Sequence, residues 1–120
     1  MKAFGDYIRE RRERLNSQAR PDGRRFSLRA VALVVDVQPS HLSKVELGQV
    51  PPSDELVRKL AAALDEDQDV LMALAGKVSP DLQAIIVKRP QVFASLLREL
   101  RDAPEEAILR VVREVRDGKW

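Results

Sequence analysis

Four polar side chains sit close together near the middle of the chain: Ser40, His41, Ser43 and Lys44. The hydroxyls and the imidazole donate and accept hydrogen bonds, and the ammonium only donates. No second histidine and no cysteine exists to complete a metal site or a nucleophilic pair. The chemistry these groups offer is therefore recognition through hydrogen bonds, not bond making or breaking. Leu42 and Val45 lie among them, three apart, and give the segment an inward apolar side. The four polar groups are left to face outward.

Those residues need a short helix, and its ends are marked. Pro39 and Ser40 open it, since proline suits the first helical turn. Gly48 follows its end, where glycine commonly sits. Upstream, Leu28, Val31 and Ala32 fall at the i, i+3, i+4 spacing of one buried helical face, and Leu33 and Val34 continue the apolar run. Asp36 interrupts it. Asp is one of the few residues besides glycine that tolerates the left-handed backbone of a sharp turn. Val37 is expected to plug that turn. Ser27 to Gly48, SLRAVALVVDVQPSHLSKVELG, thus reads as two short helices across a tight corner.

This stretch resembles the DNA-binding helix-turn-helix of the phage-repressor-like (Cro/Xre-type) family. The matching residues are the SLRAVA opening, the DVQPSHLSKVELG second half and the following PPSDELVRKLAAAL, and the resemblance covers roughly Phe4 to Ala75. It implies an all-α fold: a five-helix lambda-repressor-like DNA-binding domain over residues 1–76, with its helix-turn-helix at 27–48. Residues 77–120 are then a short C-terminal helical extension. On the same register Ser40, His41, Ser43 and Lys44 are the base-reading side chains, with Lys44 suited to guanine O6 and N7. Phosphate contacts fall to Arg24, Arg25, Ser27, Arg29 and Gln49, with Arg20 in the same basic loop. Glu46 turns inward and pairs with Arg12 as a structural ion pair. Two departures stand out: Asp36 occupies a position often held by glycine, and the Asn16–Arg25 loop is longer than usual.

The remaining chain reads as helix almost throughout. Phe4, Ile8 and Leu15 share a stripe on the first helix, with Tyr7 beside it. Ser53 is a good N-cap for a fourth helix to Leu64, in which Leu56, Leu60 and Ala63 point inward. A fifth runs from Asp67 to Ala75 and carries Val70, Leu71 and Leu74. Three more follow: Ser79 to about Arg89 with Leu82, Ile85 and Ile86, one from Pro90, and one from Pro104. The last two carry Val92, Phe93, Leu96, Leu97, Leu100 and Ile108, Val111, Val112, Val115 at helical spacing. Three short amphipathic helices cannot bury such faces well alone. These nine residues are therefore the candidate dimer or partner surface, unless they close an intramolecular core.

Composition narrows the function. The net charge is +2, but residues 1–50 carry ten Lys/Arg against six Asp/Glu, and residues 51–120 eleven against thirteen. The halves therefore stand at +4 and −2, and the basic half holds the DNA-reading motif, as a phosphate-binding face requires. No apolar run approaches the ~20 residues of a membrane span, and no signal peptide is visible. There is no P-loop or GxGxxG. The acidic cluster Asp65, Glu66, Asp67 and Asp69 lacks the pattern of a calcium loop. The expectation is a non-enzyme without metal or cofactor, cytoplasmic and nucleoid-associated, of bacterial or phage type. Its partners would be double-stranded DNA and a second copy, the homodimer acting as an (auto)repressor on a palindrome with half-sites ~34 Å apart. The alternative is an antitoxin-like or peptidase-controlled regulator, whose C-terminal helices bind a toxin or a metallopeptidase.

Overall fold

Helix ends are set by local chemistry throughout the first half of the chain. The computed structural model describes residues 2–18 and 22–118, and the loop residues Arg20 and Pro21 lie outside these. Among the described residues there are eight helices and no strand: α1 (Lys2–Ser17), α2 (Leu28–Val34), α3 (Pro39–Glu46), α4 (Asp54–Leu64), α5 (Gln68–Leu74), α6 (Pro80–Lys88), α7 (Pro90–Leu100) and α8 (Glu105–Asp117). The protein is all-α. Ser27, Ser53 and Asp67 cap α2, α4 and α5 by accepting from backbone N–H groups of the first turn, which satisfies donors the helix itself cannot. No helix is long and apolar enough to cross a membrane among the described residues.

The chain divides into two compact units, Met1–Pro80 and Asp81–Trp120. In the first, Phe4, Ile8, Val31, Val35, Leu42, Val45, Val57, Leu60, Leu64 and Leu71 are buried almost completely. They come from all five of its helices, so α1 to α5 share one core. Burying each large aliphatic side chain stabilises by about 1.5–3 kcal/mol. α1 crosses α3 at Gly5, where a Cβ would stand 2.4 Å from the Glu46 carbonyl oxygen and 2.7 Å from that of Val45. Only a residue without a side chain lets the two backbones approach so closely. The unit extends past Gly76 because Lys77 donates to the Pro52 carbonyl at 3.2 Å and to the Asp54 carboxylate, and because Ser79 is buried.

The apolar residues around the corner and on α5 divide unevenly between core and surface. Val70 is 48% exposed, and Met72, one step round the helix from Leu71, is buried in its place. Val37 is half-buried against the core edge rather than enclosed. Leu33 and Val34 are exposed at the end of α2, past the buried pair Val31 and Ala32. In the second unit α6, α7 and α8 carry no buried residue.

Candidate nucleic-acid interface

The corner between α2 and α3 is built by backbone hydrogen bonds around one left-handed residue. Asp36 has φ +59°. The Val37 N–H donates to the Ala32 carbonyl at 3.0 Å and the Asp36 N–H to that of Leu33 at 3.3 Å, the paired pattern that closes a helix end. α3 then starts at Pro39 and ends the same way, with Gly48 at φ +75°. The Gln49 N–H donates to the Lys44 carbonyl at 2.9 Å and the Gly48 N–H to that of Val45 at 3.1 Å. Both ends of α3 are thereby fixed, and so is the direction each of its side chains takes.

On α3, Leu42 and Val45 have no exposed surface. Ser40, His41 and Lys44 are exposed, and Ser43 is half-buried beside them. Gln38, outside the sequence expectation, precedes Pro39 as the N-cap residue. Its side chain makes no capping hydrogen bond and is exposed, so its carboxamide stands at the tip of the helix. The signal for it in the sequence is its place directly before a helix-opening proline.

A buried ion pair holds α3 against α1. Arg12 donates from Nε to Glu46 Oε2 at 2.7 Å and from Nη2 to Oε1 at 3.0 Å, and its Nη1 reaches the Phe26 carbonyl at 3.2 Å. Arg12 and Glu46 are 9% and 5% exposed, so the carboxylate does not face outward with the rest of α3. The hydrogen bond to Glu46 raises the Arg12 pKa above its ordinary value, against the opposing effect of burial. The guanidinium fork matches the carboxylate geometrically and, through Phe26, also ties down the segment that leads into α2.

The residues expected at phosphates, Arg24, Arg25, Ser27, Arg29 and Gln49, are all exposed. The Ser27 hydroxyl accepts from the Ala30 N–H at 3.1 Å. Arg24 is placed differently from its neighbours. Its guanidinium lies 5.2 Å from the centre of the Phe26 ring and Nη2 donates to the Ala63 carbonyl at 3.4 Å. The carbonyl end of α4 and an aromatic face both attract a cation, which accounts for these two contacts of an otherwise exposed Arg24. An open concavity lined by Arg29, Asp36, Gln38 and Pro39 lies at the corner itself.

Two short helices meeting at a fixed corner, the second held by a buried fastener with its polar face outward, are what a helix-turn-helix requires. The helix-turn-helix domain family matches residues 3–74, more than half of the chain. The chain belongs to this family. No curated protein and no solved structure matches it. The helix-turn-helix places the chain among DNA-binding regulators, and the match ends within α5, before the second unit begins. Among the described residues no three His, Cys, Asp or Glu side chains gather where they could hold a metal ion.

Proposed function

We propose that this helix-turn-helix protein is a Cro/Xre-type, sequence-specific transcriptional regulator, a homodimeric (auto)repressor that reads a palindromic operator through α3. The observation that carries this reading is the division of α3: Leu42 and Val45 fully buried, Ser40, His41 and Lys44 outward. A recognition helix enters the major groove with such a face, N-terminal residues first. Lys44 donates to guanine O6 or N7, His41 donates or accepts, and the hydroxyls of Ser40 and Ser43 serve either a base or a phosphate. Arg25, Ser27, Arg29 and Gln49 contact phosphates and set the register. Residues 1–76 bind DNA in the cytoplasm, and residues 77–120 dimerise. One such face reads few base pairs, and two half-sites roughly multiply the discrimination.

A titration on the promoter of its own gene tests this, with a Ser40→Ala/Lys44→Ala double variant alongside. A footprint on a palindrome that the variant loses supports direct readout. Equal, steeply salt-dependent binding of both proteins to any DNA would leave only the phosphate term and defeat the reading. The exposed apolar side chains of α7 and α8 favour a second reading, in which this surface takes a toxin or a metallopeptidase that controls the regulator. A dimer that dissociates when such a partner is added would favour it.

A further inference from the structure

α8 carries an exposed apolar face and an ordered arrangement of charge beside it. Val111, Val112 and Leu109 are 40%, 50% and 46% exposed, with Ile108 half-buried next to them. At 100° per residue, Ile108, Val111 and Val112 form one stripe, and Glu105, Leu109 and Arg116 form a single edge of it. Glu105 and Arg116 are eleven positions apart on α8, close to three turns, or about 16 Å along the axis. They are too distant to interact within one helix. Both are exposed, and Arg116 Nε lies 3.9 Å from the carboxylate of its own neighbour Asp117.

We infer that α8 pairs with α8 of a second copy in antiparallel, two-fold fashion, Glu105 of each copy meeting Arg116 of the other. The geometry follows from symmetry. In an antiparallel pair about a two-fold axis, each edge of a helix meets the same edge of its partner. The edge bearing Glu105 at one end and Arg116 at the other is therefore its own complement. A parallel pair would set the two Glu105 side chains level with each other, and likewise the two Arg116. The midpoint between the charges falls beside Val111, so the apolar stripe and the ion pairs are satisfied in the same register. This inference rests on the dimeric reading above and specifies how the dimer forms.

Charge reversal in the full-length protein tests it, by sedimentation velocity across a concentration series without DNA. Glu105→Arg or Arg116→Glu alone turns two attractive contacts repulsive and should weaken the dimer roughly tenfold. The double reversal restores complementarity and should return the dimer to within about threefold of the parent. Helix-end electrostatics predict the opposite order, since the double reversal puts a cation at the N-terminus of α8 and an anion at its C-terminus. Circular dichroism checks that each variant keeps its helices. Val112→Asp should yield monomer. A dimer indifferent to the reversals, or a double variant no tighter than either single one, overturns this arrangement and leaves the dimeric reading standing. A parent protein that stays monomeric overturns both. Readout of DNA by α3 is tested separately by the Ser40/Lys44 variant.

Discussion

Arg12 closes on the side chain of Glu46, while the backbone carbonyl of that same Glu46 faces Gly5, about two turns earlier in α1. One residue of α3 is thus gripped twice by one face of α1. The pair is buried, so its worth depends on both partners being present. Breaking a buried pair from one side costs about 3–5 kcal/mol, because a charge is left without compensation. Arg12→Met and Glu46→Leu should each lose stability of that order in urea unfolding. Arg12→Met combined with Glu46→Leu should lose clearly less than the sum, since no buried charge remains. Additive losses would show that the two side chains do not act as a unit.

Gly5→Ala adds a single methyl group where the neighbouring atom is backbone, not a movable side chain. Overpacking of this kind costs about 1–3 kcal/mol, and it outweighs the better helix propensity of alanine, about 1 kcal/mol. The variant should therefore be less stable than the parent in thermal or urea unfolding. A more stable Gly5→Ala protein would show that α1 and α3 do not approach as closely as described.

The corner at Asp36 makes a different prediction. A non-glycine residue in the left-handed region costs roughly 1 kcal/mol, less for Asp and Asn than for others. Asp36→Ala should destabilise, and Asp36→Gly should be more stable than Asp36→Ala by about 1 kcal/mol. Equal stabilities would mean that position 36 does not hold a positive φ.

At the junction after α5, the hydrogen bond from Lys77 holds the Asp54 carboxyl below the usual carboxylate range, aided by the positive charge of Lys77. A depressed folded-state value means the tie contributes above the ordinary Asp pKa of about 3.9. Its contribution is lost as the pH falls through the lower, folded value. Carboxyl 13C titration should place Asp54 below a free aspartate, and Lys77→Met should move it upward. An Asp54 midpoint unmoved by that substitution would remove the tie. Because both groups are well exposed, the stability involved should be small and screened by salt.

The helices were legible because their apolar residues repeat at 3.6 and their ends carry Ser, Asp, Pro and Gly in places where backbone groups need them. The inward position of Leu42 and Val45, which decides the outward face of α3, follows from spacing alone. Other features depend on what folding brings together. Nothing near Arg24 in sequence shows that the carbonyl end of α4 would accept from its guanidinium. Tyr7 donates to Glu66 across 59 positions, and Gly5 looks like a poor helix residue until the backbone of α3 lies against it. The pairing of Arg12 with Glu46 was approachable only through a family register, because neither residue carries a local signal of burial.

The contrast between Arg24 and its neighbours gives the sharpest test of the DNA face. Each phosphate neutralised releases counterions, so removing one such contact lowers the slope of log K against log salt by about 1. Arg25→Ala and Arg29→Ala should each do this while leaving the preferred operator sequence unchanged. Arg24→Ala should leave the slope close to that of the parent, because this guanidinium already lies against Phe26 and the Ala63 carbonyl. Its effect should appear instead as a loss of fold stability. Lys44→Ala should change which base is preferred at one position in each half-site, at a cost of about 1–3 kcal/mol in discrimination. If Arg24 alone changed the slope and Arg25 and Arg29 did not, the phosphates would run along α4 and not along the start of α2. The orientation of the recognition helix proposed above would then be wrong.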